Sequence, residues 1–411
     1  MPTPELVDPV RRARESGQAP VAQAGREAPV EVRPGRCLQL SKFYPPVNGG
    51  IETTVRDIAE GLTSHGWQVE VLCANTTRGT VREAGAIPVT RVSSFGVVAS
   101  TSMTPSLISQ LARQQQDQDV IHVHLPNPIA NLALFLTRPK CKLVLHWHSD
   151  IVKQKHLLKL YAPLQAWLLR RADVIVATTE QYAESSPWLQ PYRQKVRFVP
   201  SCLRDPRETV DFGASERRAA EIRNAHPGKK IVFALGRMIY YKGFDVLVRS
   251  ARRLGDDTVV LLGGSGELQE PLRKLARDLG VEHKVSFLGR VSDADLSAYY
   301  MAADVFCLPS LMRSEAFGLV MVEAMSFSKP VVATRIPGSG VTWVNVHGET
   351  GLNAKPGDDE DLARALLELL GDPARAHAMG TAGRRRFEQH LTLEKMIDAT
   401  LAAYGSTGRP T

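Results

Sequence analysis

The sequence predicts an α/β protein built from two doubly wound, Rossmann-like domains facing each other across a cleft, and three observations carry that prediction. Short continuous apolar runs alternate with helical patterns along most of the chain, as expected of parallel strands covered on both faces. The alternation breaks once, over a charged stretch ending His226-Pro227-Gly228-Lys229-Lys230, and then restarts. The length of 411 residues exceeds one compact core and suits two of roughly 150 to 200 residues each.

Residues 1–36 carry six basic and five acidic residues among Ala and Pro, without sustained periodicity, and predict a flexible tail. The first domain, 37–203, opens with the strand CLQL and a helix from Ile51 to His65. There follow the strand VEVLC, a less regular stretch, the strand DVIHVHL and a helix near Pro128 to Leu136. KLVLHWH, a basic helix, DVIVATT and VRFVP complete it. Residues 204–229 are charged, show no strand pattern and predict a linker. In the second domain, 230–385, IVFALG leads to a helix from Phe244, TVVLLGG to one from Leu268, and VSFLG to one from Asp293. DVFCLP precedes a helix around Met321, PVVAT follows, and helical sequence runs from Asp358 into a C-terminal helix and tail, 386–411.

At 43% hydrophobic and 23% charged, the composition excludes wholesale disorder, a collagen and a disulfide-stapled miniature fold. Five widely spaced cysteines without a C-x-x-C predict reduced, buried thiols. No run reaches the roughly 18 apolar residues of a membrane span, and the polar N-terminal sequence lacks the apolar core of a signal peptide, which predicts a cytoplasmic protein. The formal charge of +8 calls for an anionic partner. Between Arg138 and Arg171 eight Lys/Arg face a single acid, Asp150, with Trp147, Leu157, Tyr161 and Trp167 interleaved. That pattern fits a solvated helix face or peripheral contact with anionic membrane through the 138–171 segment. With no binding motif or repeated basic run beside it, nucleic acid is not the expected partner.

In doubly wound sheets ligands sit beyond the carboxyl ends of the strands. There the sequence places Gly49-Gly50 just before a helix, a turn that either simply reverses the chain or offers backbone donors to an anion. It also places Arg237 and Lys242 around a turn closed by Gly243, a fork and a point charge suited to a diphosphate, or to a structural ion pair. Most specific is Glu315-Ala-Phe-Gly-Leu-Val-Met-Val-Glu323. Glu315 falls before a helix and Glu323 about two turns along it. The backbone N–H groups from Phe317 through Gly318 and Leu319 to Val320 can meet phosphate or sugar oxygens. Glu323 can accept from a vicinal diol and Glu315 from other hydroxyls; an ordinary cap and a solvated glutamate are the alternative.

The E-x7-E spacing, preceded by LPS and followed by AMSFSKPVVAT and GETGLNAKPGD, resembles the nucleotide-binding half of retaining glycosyltransferases of family 4, which have the GT-B fold. GRMIYYKG is similar to that family's phosphate-binding segment, and NGGIE to its first-domain glycine loop. The resemblance implies a nucleotide-sugar donor on the second domain. Arg237 and Lys242 would hold its diphosphate, Glu323 its ribose, Glu315 with the Phe317-Gly318 backbone its sugar, and the loop at Arg290-Val291 would lie near its base. WHSD resembles bacterial mannosyl- and rhamnosyltransferases of polysaccharide assembly. That implies His148 against the transferred sugar, Asp150 on the acceptor side, a GDP-linked mannose or rhamnose donor, and a glycan or polyprenyl-diphosphate-linked saccharide acceptor at the inner face of the cytoplasmic membrane.

Two positions depart from the family pattern. Ser201-Cys202 replaces a Pro-x-Gly turn in the interdomain loop, and Ser328 replaces the glycine usual before Lys-Pro. Four histidines, His122, His124, His146 and His148, fall within 27 residues, but no spacing matches a closed metal site. No cofactor is expected. Asp293-Ala-Asp295 reads as the first turn of a helix behind Ser292, so no divalent metal is expected to serve the diphosphate. Competing readings are a non-catalytic sugar-nucleotide-binding scaffold and a nicotinamide-dependent oxidoreductase, whose glycine fingerprint fails at Gln269.

Overall fold

A computed structural model describes residues 33–405 except 48, 99–100 and 152–154; the side chains of 155–160 are also outside the described residues. Most of the expected N-terminal tail, and Lys153 of the basic segment, therefore lie outside them.

The first lobe runs β1 (Arg36–Leu40), α1 (Gly50–Ser64), β2 (Gln68–Ala74), β3 (Val81–Glu83), β4 (Val89–Val92), β5 (Val97–Val98), β6 (Thr101–Ser102) and α2 (Ser106–Gln114). It continues through β7 (Val120–Leu125), α3 (Pro128–Thr137), β8 (Lys142–Trp147), α4 (Lys155–Arg171), β9 (Val174–Ala177), α5 (Glu180–Ser185) and β10 (Val196–Phe198). Eight of these strands form one sheet in the order β10-β9-β8-β7-β1-β2-β4-β3, parallel except for the edge strand β3, and β5 and β6 pair with each other. Apolar side chains fill both faces, which is why the runs read as continuous.

The second lobe comprises α6 (Pro206–Thr209), α7 (Phe212–Asn224), β11 (Lys230–Leu235), α8 (Phe244–Ser250), β12 (Thr258–Gly263), α9 (Gln269–Asp278), β13 (Val285–Gly289) and α10 (Asp293–Ala302). Then come β14 (Val305–Leu308), α11 (Leu319–Ser326), β15 (Val331–Thr334), α12 (Val341–Val344), β16 (Gly351–Ala354), α13 (Asp359–Gly371) and α14 (Pro373–His390). Its six strands, in the order β13-β12-β11-β14-β15-β16, are all parallel. The strand order reverses between β1 and β7 in one lobe and between β11 and β14 in the other. These switch points place the loops after β1, β7, β11 and β14 where ligands enter such sheets.

Two expected boundaries move. The segment read as a linker, 204–229, folds largely as α6 and α7: Ala219 and Ile222 join the second-lobe core, Arg218 pairs with Asp295 and Arg223 with Asp304. Small and charged residues hid this helix, which buries only Ser215, Ala219 and Ile222. The boundary set at 386 cuts through α14, whose Phe387 is buried in the same core. The chain crosses at Leu203 and returns at Leu391–Leu393, where the two passes hydrogen-bond to each other: Leu203 N to Leu391 O at 3.2 Å and Leu393 N to Leu203 O at 3.0 Å. Cys202 is buried beside them, its thiol donating toward the His390 carbonyl at 3.6 Å, so the departure from Pro-x-Gly fits within the crossing. Then α15 (Leu393–Gly405) packs on the first lobe, where Ile397 lies so close to Gly61 that a Cβ there would sit 2.3 Å from it.

Candidate active site

The second-lobe wall begins where β11 ends. Gly264, with φ +119, brings the turn after β12 against Gly236, and a Cβ on it would lie 1.9 Å from the Gly236 carbonyl. The glycines that fail as a dinucleotide fingerprint thus buttress the loop carrying Arg237. Arg237 is exposed, with no partner among the described residues. Lys242 reaches Glu315: Nζ donates to Oε2 at 2.6 Å, and both side chains are almost fully buried. Ser310 donates to the same oxygen at 2.8 Å, so Oε2 is anchored, while Oε1 meets no group among the described residues. The sequence left two uses for these cations, a diphosphate or a structural ion pair. Glu315 neutralises Lys242.

Gly318 adopts φ +82, a left-handed conformation that turns the Glu315 loop into α11. Glu323 therefore sits just over one turn into α11, short of the two expected. It is no solvated glutamate: Tyr300 donates to its Oε2 at 2.6 Å, and burial pushes the carboxyl up to about 7 against that bond's downward pull.

The first-lobe wall is a set of stacked imidazoles. His122 and His124 on β7 and His146 on β8 with His148 just beyond it share one face, and the His146 and His148 rings stack at 4.1 Å. His148 Nε2 lies 3.0 Å from His124 Nδ1, and His124 Nε2 lies 2.7 Å from Gln39 Oε1. His122 Nδ1 meets the Tyr404 hydroxyl of α15 at 2.8 Å. Burial pushes all four down, His122 and His148 to about 3, so the wall is neutral. One nitrogen each from His122, His124 and His146 lie within 4.8 Å of one another, the separation a shared cation needs. Yet the rings are stacked within 23° of parallel, so their in-plane lone pairs run side by side instead of converging, and His124 already uses both nitrogens. His122, His124 and His148 are hydrogen-bonded and stacked, while His146 joins by stacking alone, with neither ring nitrogen partnered among the described residues.

A cavity of about 480 Å³ joins the walls. Gly50, His148 and Ser201 line one side; Arg237, Lys242, Glu315, Phe317, Gly318, Leu319 and Glu323 line the other. Three predicted residues lie apart. Gly49 precedes α1 outside the lining, and Val291 packs against Gly263 at the end of β12. Asp150, expected to face an acceptor, is otherwise engaged: Oδ1 accepts from Trp147 Nε1 and Ser186, each at 2.8 Å, and Oδ2 pairs at 3.2 Å with Arg313 of the second lobe. It ties the lobes together. Gln39, Tyr300, Ser310 and Arg313 went unrecognised in the sequence. Gln39, a lone amide within CLQL, and Ser310, the last residue of LPS, left a signal there. Asp293 and Asp295 occupy the first turn of α10 as expected, with Ser292 capping the Asp295 N–H at 3.1 Å.

Residues 216–386 match the family described as glycosyl transferases group 1, and residues 49–202 the glycosyl transferase 4-like domain. The O-antigen chain mannosyltransferase C of Escherichia coli is 32% identical over 90% of this chain and 98% of its own length. The D-rhamnosyltransferase WbpZ of Pseudomonas aeruginosa is 34% identical over 87% of this chain and 92% of its own. This chain is a group 1 glycosyltransferase. Its fold is that of HepE from Anabaena, solved in complex with UDP, with a TM-score of 0.71 at 20% identity over 90% of this chain and all of that one. The transferase therefore has the GT-B architecture, and among its described residues no helix is long and apolar enough to cross a membrane.

Proposed function

We propose that the enzyme transfers mannose or rhamnose, with retention of anomeric configuration, from a GDP-linked donor to a glycan or polyprenyl-diphosphate-linked saccharide in bacterial surface polysaccharide synthesis. The observation supporting this most directly is the meeting of Arg237, Lys242, Glu315 and Glu323 with His148 on one cavity. Lys242 has donors left after its bond to Glu315, so one ammonium can hold the carboxylate and a phosphate oxygen together. Arg237 adds an uncompensated charge where the leaving diphosphate develops its own. Glu315, anchored through Oε2, offers Oε1 to sugar hydroxyls, while Glu323 accepts from the ribose. The acceptor hydroxyl then attacks from the face the diphosphate leaves.

Incubation with GDP-mannose, GDP-rhamnose and UDP-glucose, with and without lipid-linked saccharide, tests this. Release of GDP with an α-linked product from an α-linked donor is expected; release of UDP alone, an inverted product, or donor binding without turnover would overturn it. We further propose that no divalent metal takes part, because Asp293 and Asp295 serve the start of α10. EDTA is then expected to leave turnover unchanged, and loss of activity restored by magnesium would refute it.

We also propose peripheral contact with the inner face of the cytoplasmic membrane through the 138–171 segment. Leu132 and Leu136 of α3 are exposed, and Arg138, Lys140 and Arg170 face solvent close by in sequence. Lys142 and Arg171, by contrast, are tied to backbone carbonyls of Tyr404, and of Pro139 and Cys141. Binding to anionic vesicles that weakens with salt is expected. Salt-insensitive binding, or none, would leave a solvated face.

A further inference from the structure

We propose that Gln39 and His124 are positioning residues: they fix His148 in the tautomer protonated on Nε2, so that its Nδ1 lone pair faces the cavity as an acceptor for a hydroxyl of the transferred sugar. The inference rests on the reading that the sugar lies against His148, but the chain of hydrogen bonds stands on its own.

Gln39 is completely buried, and its Oε1, an acceptor with no proton to give, lies 2.7 Å from His124 Nε2. That nitrogen must carry the proton. A neutral imidazole then has a bare Nδ1, and His124 Nδ1 must accept from the group 3.0 Å away, His148 Nε2. His148 thus holds its own proton on Nε2, and its Nδ1 has no partner among the described residues while the residue lines the cavity. The amide end of Gln39 faces Cys37 Sγ and the Tyr404 hydroxyl, each 3.4 Å from Nε2, and that hydroxyl lies 2.8 Å from His122 Nδ1. The wire therefore begins on the C-terminal helix and ends at the sugar site. Burial keeps His124 and His148 neutral at ordinary pH, which the scheme requires. An acceptor at that point selects for a donor bearing a hydroxyl there, since a sugar lacking it leaves the lone pair unmet.

The test is ring-nitrogen NMR on the full chain with 15N-labelled histidine, together with turnover of GDP-mannose and its monodeoxy analogues. In the wild type, His148 is expected to show a protonated Nε2 and a bare Nδ1. Gln39→Met, which fills the space without an acceptor, should give mixed tautomers, lower turnover by about 5- to 10-fold, and shrink discrimination against one deoxy analogue. Gln39→Glu, which restores an acceptor for His124, should recover the tautomer. A wild-type His148 protonated on Nδ1, or a Gln39→Met enzyme with unchanged tautomer and discrimination, overturns the proposal. Should Gln39→Met fail to fold, the wild-type spectrum alone decides. If GDP-mannose is not turned over, the functional reading fails while the spectrum still reports on the wire.

Discussion

The first-lobe wall of the cavity presents His148, a neutral imidazole backed by other stacked imidazoles, whereas the second-lobe wall presents charges, of which Lys242, Glu315 and Glu323 are held by opposite charges or hydroxyls and Arg237 is not. His148 is backed by His124 and Gln39; Lys242 is backed by Glu315, and Glu315 by Ser310. The two backings have different consequences, and the imidazole stack leaves both His146 nitrogens and His122 Nε2 without a hydrogen bond among the described residues. Removing an imidazole forfeits a neutral hydrogen bond, while removing Lys242 or Glu315 leaves a nearly buried charge without its counterpart. The charged wall suits a diphosphate and the neutral wall suits sugar hydroxyls.

The largest expected effects therefore lie on the second lobe. Lys242→Ala should lower turnover by roughly 10² to 10³, the scale for deleting one group that meets developing charge. Glu315→Gln keeps the shape and the Ser310 bond and should lose turnover comparably, whereas Glu315→Ala should also destabilise the fold by exposing Lys242 to an unpaired burial. Steady-state kinetics beside thermal melts separates the two. Near-wild-type turnover in both Lys242→Ala and Glu315→Gln would erase the distinction between the walls.

The walls should also differ in pH response. Glu323, pushed up to about 7, binds a diol best as the carboxylate. Donor affinity should be flat well above that pH and fall as pH drops through it, by about 10- to 100-fold for the loss of charge-assisted bonds. Tyr300→Phe removes a bond that favours the charged form and should move the midpoint upward. His122 and His148, held near 3, contribute no slope between pH 5 and 8. Calorimetric titration across that range checks this; a midpoint unmoved by Tyr300→Phe assigns the titration elsewhere. On the neutral wall, His148→Ala should cost about 10-fold in turnover, the worth of one uncharged hydrogen bond. A loss matching that of Lys242→Ala would mean that the imidazole carries charge.

What the sequence disclosed of this asymmetry follows from distance along the chain. Strands buried on both faces read as apolar runs, so most of both sheets was legible, though the buried β4 (VTRV) and β16 (GLNA), interrupted by polar residues and glycine, were not; Glu315 and Glu323 stand out because a helix and its approach hold them eight residues apart. The polar edge strand β3, with every residue exposed, carries no such pattern. The pairing of Asp150 with Arg313, of Glu315 with Lys242, and of His124 with Gln39 joins residues far apart in sequence, and no local pattern encodes those meetings.

The smallest effect tests whether the lobes are also alike in backbone strain, since among the described residues each has one non-glycine residue in the left-handed region, Arg138 at φ 47 and Ser328 at φ 57. Ser328 follows the end of α11, where its N–H donates to the Met325 carbonyl at 2.9 Å and the Lys329 N–H to that of Ala324 at 3.0 Å. That pair of bonds defines a helix end at which glycine is the favoured residue. The turn has little room to relax, because α14 packs on it at Gly380, where a Cβ would lie 2.1 Å from the Ser328 carbonyl. Ser328→Gly relieves about 1 to 2 kcal/mol of left-handed strain and gives back part of it, under about 1 kcal/mol, as added freedom of the unfolded chain. The net gain of about 0.5 to 1 kcal/mol should raise Tm by about 1 to 3 °C with turnover unchanged. Arg138→Gly should gain less, because the guanidinium lies over the Phe135 ring at 5.6 Å and that contact is lost with the side chain. Scanning calorimetry of both variants decides the matter: a Ser328→Gly protein no more stable than the wild type would mean that this helix end carries no strain for glycine to relieve.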